Sequence, residues 1–381
     1  MKRIGIAVST LSGVLFFFAC EPITVSVAPD GRIAFTREEG VFAVDLAGQK
    51  LTTIHGTMGP EPELATVVRW SPDGSRVAYV LLKGKGFGEV YELWAGDPAT
   101  QERTKLLESQ TPILYLGWSP DGKSVTAARG MQDDKAKGAE ILVVEAAGGE
   151  AKTLAREVSA VHHWTAEGKV VLFQVAREHG ENTRFYVGSI ATVDPGSGTV
   201  TGHVNAASGQ NAWLCLSPDG KRAAFLAVAA AASEEGLDLP APDQGIDADK
   251  TYAFTYDFES GKLEKFRDDF VHYVLYSPDG AKAMFVTTQE DRKVLQVRNL
   301  AARADTVLDP AVVTSASRQL VSVPMYPVWL DDDRIFYWKE RVIYGRSATS
   351  LSAHVVQLST GERKNVQHVI DRLVDETTSG Q

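Results

Sequence analysis

Two groups of side chains in this sequence are of types that could hold a metal ion. His162 and His163 are adjacent, and adjacent residues on a strand point to opposite faces, so the pair is a weak metal motif. The segment Ala229–Lys250 carries a series of acidic residues, namely Glu234, Glu235, Asp238, Asp243, Asp247 and Asp249. Their order does not follow the EF-hand spacing. We therefore expect a solvated acidic loop there and no metal site.

The sequence contains none of the common catalytic motifs. It has no phosphate-binding loop, no His-Glu-x-x-His, no zinc-type set of cysteines and no Gly-x-Ser-x-Gly. We expect no catalytic residues and no cofactor. Paired carboxylates in a channel would still allow a hydrolase or lyase, and sequence alone does not give their separation.

The charge balance limits the partners. Lys and Arg number 39 against 49 Asp and Glu, a net charge of -10. Neutralisation of phosphates by basic side chains is a main source of affinity for nucleic acid, so we expect no nucleic-acid binding. With 44% hydrophobic and 23% charged residues, the composition is that of an ordinary globular protein.

The N-terminus has the features of an export signal. Lys2 and Arg3 precede an uncharged apolar run, Ile4 to Ala19, which is shorter than the roughly 20 residues that span a bilayer. The run ends in Phe-Phe-Ala-Cys20, which resembles the lipobox of bacterial lipoproteins. That resemblance implies lipidation of Cys20, and Glu21 after it points to the outer membrane. The alternatives are an ordinary secretory signal and a disulfide from Cys20 to Cys215, the only other cysteine.

A tetrapeptide recurs along the rest of the chain. Four copies read Ser-Pro-Asp-Gly, one reads Ala-Pro-Asp-Gly, and their aspartates are Asp30, Asp73, Asp121, Asp219 and Asp279. Thr165–Gly168 and Leu330–Asp333 fit the same frame loosely. The last positions of the seven units are spaced from 43 residues (31 to 74) to 60 residues (220 to 280). This period predicts repeated units of one size.

Each unit has the signature of a small antiparallel sheet. Pro, Asp and Gly in this order form a tight turn between two strands. A second pair of strands follows around another polar turn, as at Gly148 and Gly149. Four strands in about 45–50 residues is typical of a propeller blade. We predict an all-β protein with a single β-propeller, of seven blades or, if the weak units are not blades, six.

The pattern Trp-Ser-Pro-Asp-Gly-x-x-Val-Ala-Tyr resembles the TolB-type WD-like β-propeller repeat, which is shared with the propellers of prolyl-oligopeptidase-like peptidases. The resemblance covers roughly residues 23–370 and implies the fold, with little information on chemistry. We assign 1–19 to a signal peptide, 20–22 to a lipidated N-terminus and tether, 23–370 to the propeller and 371–381 to a C-terminal tail.

Aligning the inner strands gives candidate residues around the channel mouth. Three places before the residue that precedes each turn, toward the long-loop face, four units carry an aromatic side chain: Tyr115, Trp213, Tyr273 and Tyr326. One place before it, Arg69 and His163 are polar in an apolar column. These six residues are candidates for partner binding, and filling between blades is the alternative.

Loop length distinguishes the two ends of the predicted propeller. The repeat turns and the turns near Gly148, Gly196 and Gly361 are short and open on one face. Long connections open on the other face, including Lys83–Glu89, Arg129–Gly138, Arg177–Arg184, Ala229–Lys250, His55–Ala65, Gly202–Asn211 and Leu308–Met325. We expect a noncatalytic scaffold on the periplasmic side of the outer membrane, binding an envelope protein or peptide on the long-loop face. The alternative is a channel-centred hydrolase or lyase acting on a saccharide or peptide.

Overall fold

A computed structural model describes residues 24–37, 40–56, 63–84, 88–131, 138–179, 185–208, 213–239, 251–289, 292–310, 320–343 and 349–379. The predicted signal peptide, Cys20 and the tether to Pro22 lie outside the described residues. So do parts of every long connection named above. The described residues form antiparallel sheets, one short 3₁₀ turn and one α-helix.

Five sheets have four strands each, and one sheet has eight. Sheet 1 contains β1 (Val25–Val27), β2 (Ile33–Arg37), β3 (Gly40–Asp45) and β4 (Lys50–Gly56). Sheet 2 contains β5 (Glu63–Trp70), β6 (Val77–Lys83), β7 (Val90–Gly96) and β8 (Arg103–Ser109). Sheet 3 contains β9 (Ile113–Trp118), β10 (Ser124–Gly130), β11 (Ala139–Glu145), β12 (Lys152–Trp164), β13 (Val170–His179), β14 (Phe185–Val193) and β15 (Val200–Ser208).

The remaining sheets follow in chain order, with one strand returning to sheet 3. Sheet 4 contains β16 (Leu214–Leu216), β17 (Arg222–Ala227), β19 (Tyr252–Asp257) and β20 (Leu263–Lys265), while β18 (Ala229–Ala231) pairs with β15 at the edge of sheet 3. Sheet 5 contains β21 (Val271–Tyr276), β22 (Lys282–Gln289), β23 (Arg292–Asn299) and β24 (Ala304–Pro310). Sheet 6 contains β25 (Leu320–Trp329), β26 (Arg334–Ile343), β27 (Thr349–Gln357) and β28 (Arg363–Asn365).

The eight strands of sheet 3 result from one long strand with two partners. The first part of β12 pairs with β11, and its last part, from Val158 to Trp164, pairs with β13. Val158 pairs with both neighbours, and Glu157 directly before it has a φ of 53°, in the left-handed region. The chain therefore passes from one four-stranded unit to the next without a loop.

Neighbouring sheets pack face to face in a ring. Each interface is an apolar cluster, such as Ala43 and Ile54 of sheet 1 against Val68 and Tyr79 of sheet 2. The last sheet also packs on the first, since Phe35 and Phe42 share a cluster with Phe336 and Trp338. Sheets arranged in this way form a β-propeller, which confirms the predicted fold class.

The C-terminal end of the chain forms a helix that the sequence analysis did not anticipate. Helix α1 (Gln367–Ser379) includes most of the segment that we had assigned to a tail. Its side chains Ile370, Leu373 and Val374 are buried in the cluster between sheets 1 and 6. The Arg37 guanidinium of sheet 1 donates to Asp371 at 3.0 Å. The helix thus covers the interface between sheets 1 and 6, the first and last sheets of the ring.

The repeat turns are held by their own side chains. In the four Ser-Pro-Asp-Gly copies the serine hydroxyl donates to the aspartate at 2.5–2.7 Å. In all five copies the aspartate accepts an amide N–H two residues later, and these aspartates are Asp30, Asp73, Asp121, Asp219 and Asp279. The glycines that follow have φ between 69° and 85°, a conformation that costs glycine nothing. The five aspartates close turns in this structure.

Candidate functional site

A cavity of about 630 Å³ lies at the centre of the ring. Residues of the repeat turns form its rim, among them Pro29, Pro72, Pro278 and Asp332. Its wall includes the ends of the inner strands β1, β5, β9, β12 and β25. The cavity therefore lies at the end of the propeller that carries the short turns.

Four tryptophans surround the cavity just below its rim, and they are Trp70, Trp118, Trp164 and Trp329. Each directly precedes a repeat turn in the sequence. The indole N–H of Trp118 donates to the carbonyl oxygen of Arg69 at 3.1 Å, and that of Trp329 donates to Leu275 at 3.3 Å. These bonds cross from one inner strand to its neighbour, so they fix the two rings in the cavity wall.

Arg69 and Tyr115 provide polar groups in this wall. Arg69 near the end of β5 and Tyr115 on β9 both line the cavity and are half-buried. The guanidinium carbon of Arg69 lies 4.8 Å from the centre of the Tyr115 ring, a cation–π arrangement. Burial raises the pKa of the Tyr115 hydroxyl, so it is protonated at neutral pH.

His162 is a structural part of the wall. Its Nδ1 is 2.9 Å from the carbonyl oxygen of Ala160, and its Nε2 is 2.7 Å from the Thr126 hydroxyl. Because a carbonyl only accepts, Nδ1 carries the hydrogen and Nε2 accepts from Thr126. Burial lowers the pKa of His162 to about 4. The imidazole is neutral, and both nitrogens are engaged.

His163 connects Tyr115 to the next inner strand. Its Nε2 lies 2.7 Å from the carbonyl oxygen of Leu214 and 3.2 Å from the Tyr115 hydroxyl oxygen. The Leu214 carbonyl requires a hydrogen on Nε2, so the Tyr115 oxygen can only accept from that nitrogen. Burial, followed by the positive charge of Arg69, lowers the pKa of His163 to about 3.

The other three predicted binding residues lie elsewhere. The rings of Trp213 and Tyr273 are 4.3 Å apart, and neither lines the cavity. The Trp213 indole donates to the carbonyl oxygen of Val274 at 2.8 Å, and the Tyr273 hydroxyl donates to that of Pro327 at 3.0 Å. These two residues link neighbouring inner strands, which was the alternative role. The side chain of Tyr326 lies outside the described residues.

A second cavity provides a useful contrast. It has a volume of about 330 Å³, lies between sheets 4 and 5, and is lined by Arg222, Lys262, Arg298 and other residues. Two of these cations are neutralised: Lys262 pairs with Glu264 at 2.7 Å and Arg298 with Asp305 at 2.7 Å. No described carboxylate forms such a pair with Arg69.

Two further observations apply to the described residues only. They contain no group of three or more His, Cys, Asp or Glu side chains placed to hold a metal ion. No helix among them is long and apolar enough to cross a bilayer. The segment 240–250, which carries half of the predicted acidic loop, lies outside them, and Glu234–Gly236 forms a short 3₁₀ turn.

Comparison with known proteins supports the same fold. No family model matches the chain. The Tol-Pal system protein TolB of Hahella chejuensis is 39% identical over 51 residues, which is 13% of this chain and 12% of that protein. A prolyl endopeptidase structure matches with a TM-score of 0.60 at 12% identity, over 91% of this chain and 50% of its own.

A further structural match covers nearly all of its own chain. The β-propeller domain of the trilobed protease from Pyrococcus furiosus, described as having an open velcro topology, has a TM-score of 0.52 at 15% identity. The match covers 90% of this chain and 94% of that one. The protein is thus a β-propeller, and the resemblance of its repeats to the TolB type is confirmed.

Proposed function

We propose that this protein is a noncatalytic binding propeller of the cell envelope, which holds a segment of a protein or peptide partner in its central cavity. The observation that carries the proposal is the composition of the wall, in which four tryptophans line the same cavity as Arg69 and Tyr115. Aromatic and arginine side chains dominate the energetics of protein recognition. A cavity of about 630 Å³ is within the usual size range of ligand pockets.

The short TolB match supports the envelope setting. The relative is named as a protein of the Tol-Pal system, and we extend to this chain only the envelope setting. The match spans 12% of that protein, so its partners are not carried over.

The docking face is the second part of the proposal. The sequence predicts a partner on the long-loop face, and half of Ala229–Lys250, residues 240–250, lies outside the described residues. The cavity has its rim on the opposite face, among the repeat turns. We propose that the inserted segment enters from the repeat-turn face, and that the long loops provide a separate contact surface.

The cellular location of the protein is also part of the proposal. Removal of residues 1–19 would leave Cys20 as a lipidated N-terminus, close to the first strand β1. We propose attachment to the periplasmic side of the outer membrane. The support is the resemblance of Phe17–Cys20 to a lipobox, together with Glu21.

The geometry of the cavity favours binding over the alternative, a channel-centred hydrolase or lyase. Acid–base catalysis needs a group that exchanges a proton near the operating pH. The pKa values of His162 and His163 are lowered to about 4 and about 3, and their protonated nitrogens donate to backbone carbonyls. Both histidines are therefore suited to holding neighbouring groups of the wall in place.

We further propose that the propeller has seven blades. The support is the strand pairing of sheet 3, in which β9–β12 and β12–β15 each have the composition of a four-stranded unit. These two units and the five four-stranded sheets make seven.

Site-specific photo-crosslinking in intact cells tests the binding role. A photoreactive residue replaces Pro29, which is exposed at the cavity rim, and in a matched control it replaces Val200, which is 44% exposed on β15. We expect a discrete peptide adduct at position 29, lost when Tyr115→Ala is added, and none at 200. Equal adducts at both positions would contradict the proposal, as would an adduct at 29 that disappears only when Ala229–Lys250 is shortened.

A further inference from the structure

We propose that Arg69 and Tyr115 form a receptor for a single carboxylate group, carried by the peptide that enters the cavity. This inference rests on the proposed function and adds the chemistry of the ligand. The carboxylate could be the C-terminus of a peptide or an acidic side chain, and the experiments below separate these sources.

The first argument is the uncompensated charge of Arg69. Its guanidinium is half-buried in the cavity wall, stacked on Tyr115, and forms no ion pair with any described carboxylate. A partly desolvated cation without a counter-ion gains most from a ligand that supplies one. Arginine binds carboxylates through two parallel N–H donors, so its planar group also selects the shape of the anion.

The second argument is the free hydrogen of Tyr115. Its oxygen accepts from Nε2 of His163, because that nitrogen also donates to Leu214. The O–H hydrogen then has no acceptor among the hydrogen bonds of the described residues. Arg69 and Tyr115, on neighbouring inner strands, therefore both carry hydrogen-bond donors in the wall of the same cavity.

The third argument is the charge of the other groups around this pair. His162 and His163 are neutral. At the rim, Asp331 pairs with Arg334 at 2.7 Å, and Asp332 accepts the amide N–H of Asp279 at 2.8 Å. These rim carboxylates disfavour a ligand with several negative charges. The cavity suits one anionic group flanked by an apolar or aromatic one, which the tryptophans would contact.

We test this inference by measuring, with ligand-observed NMR, how small probes bind to the full-length protein. The probes are N-acetylphenylalanine, its C-terminal amide, and the C-terminal amide of N-acetylaspartate, which keeps its side-chain carboxylate. We expect the neutral phenylalanine amide to bind at least tenfold more weakly than the acid, since it lacks the charge-assisted bonds. Binding of the aspartate amide would identify an acidic side chain as a suitable source, and binding of N-acetylphenylalanine alone would identify a C-terminus. Equal affinity for acid and amide would overturn the inference.

Two variants and a control locate the site. Arg69→Gln should weaken binding of N-acetylphenylalanine about tenfold or more, and Tyr115→Phe, which removes only the hydroxyl, about threefold to tenfold. The control is Arg222→Gln, because Arg222 also lies over a tyrosine ring, that of Tyr276, but outside the central cavity. An equal loss in Arg222→Gln would overturn the inference. Thermal unfolding of each variant shows whether it is folded, and Tyr115→Phe keeps the test valid if Arg69→Gln is not.

The pH profile distinguishes an arginine receptor from a histidine receptor. The titratable groups near the pair are His162, His163, Cys215, Tyr273 and the rim carboxylates. Burial displaces the pKa values of the first four of these groups away from neutrality. Affinity for N-acetylphenylalanine should therefore be constant from pH 5 to 8. A decrease of tenfold across this range would show that a histidine carries the charge and would overturn the assignment.

The two proposals fail separately. A peptide adduct at the rim together with equal binding of acid and amide leaves the binding propeller standing and removes the carboxylate receptor. Binding of N-acetylphenylalanine that depends on Arg69, without any peptide adduct, supports the receptor and makes it a small-molecule site.

Discussion

At the scale of single residues, the serine of each repeat turn has two roles. The hydroxyl of Ser277, which is fully buried, donates to Asp279 at 2.5 Å and accepts the amide N–H of Lys282 at 2.9 Å. One atom therefore satisfies a turn amide and orients the carboxylate that holds the rest of the turn. The same pairing occurs at Ser71, Ser119 and Ser217.

Replacing this hydroxyl should lower stability. We expect Ser277→Ala to reduce the free energy of unfolding by about 1–3 kcal/mol, because the amide of Lys282 is left without an acceptor. Chemical denaturation measures the change. The matched control is Ser197→Ala in an exposed turn, where a change below about 0.5 kcal/mol is expected. Equal unfolding midpoints for the wild type and Ser277→Ala would contradict this role.

The turn aspartates should make the protein sensitive to acid. Hydrogen bonds from Ser71 and then Ser75 lower the pKa of Asp73 to about 2, from an ordinary 3.8. A carboxyl whose pKa is lower in the folded state stabilises the protein above about pH 4, and this contribution is lost as the pH falls towards 2. We expect the unfolding free energy to decrease across this window, with a shallower decrease in Asp73→Asn. Identical pH profiles for the two proteins would exclude Asp73 as a contributor.

Three of the six candidate residues, Arg69, Tyr115 and His163, line the central cavity, and the sequence signal for two of them is local. Arg69 and His163 are polar in a column that is otherwise apolar, and the repeat turns fix the alignment of that column. The tryptophans below the rim stand out in the sequence only as the first residue of the repeat pattern, which reads Trp-Ser-Pro-Asp-Gly at Trp70 and Trp118. Their convergence on one cavity depends on the ring that the sheets form, which a single repeat does not encode.

At the scale of secondary structure, helix α1 is the feature with the clearest energetic consequence. Ile370 is fully buried between sheets 1 and 6. We expect Ile370→Ala to cost about 2–5 kcal/mol of stability, as is usual for large-to-small changes in a core. Glu376→Ala, on the exposed side of the same helix, is the control. A loss below about 1 kcal/mol would show that the helix contributes little to closing the ring.

The turns were predictable and the connections were not. Pro, Asp and Gly restrict the backbone directly, so each repeat turn follows from a few neighbouring residues. Strand β12 differs, because no Gly, Pro, Asn or Asp occurs between Lys152 and Trp164 and the chain continues from one unit into the next. The sequence does not predict helix α1, because its apolar residues are preceded by only a short polar turn. Their burial also requires sheets 1 and 6, which are distant in sequence.

At the scale of the whole molecule, the proposed anchor leads to a test that is independent of the propeller. Cys215 is buried and unpaired, and burial raises the pKa of its thiol to about 12, so it is an inert core residue. We expect Cys20→Ser to release the protein from the membrane fraction and to leave its unfolding midpoint unchanged. Cys215→Ala, in contrast, should remain in the membrane fraction. Retention of Cys20→Ser in the membrane fraction, with the same partitioning into detergent, would contradict lipidation.

The way in which the ring is closed has a consequence for how such a protein can change over evolutionary time. Among the described strands, sheets 1 and 6 exchange no strand, and each is built from consecutive segments of chain. Duplication or loss of the gene segment for one such sheet would therefore leave the hydrogen bonding of every other sheet intact. A ring closed by an exchanged strand would instead have to preserve both termini. In this protein a change in blade number would mainly require new angles between neighbouring apolar faces. Sheet 3 is different, because its two units share β12, and removing one of them would divide that strand.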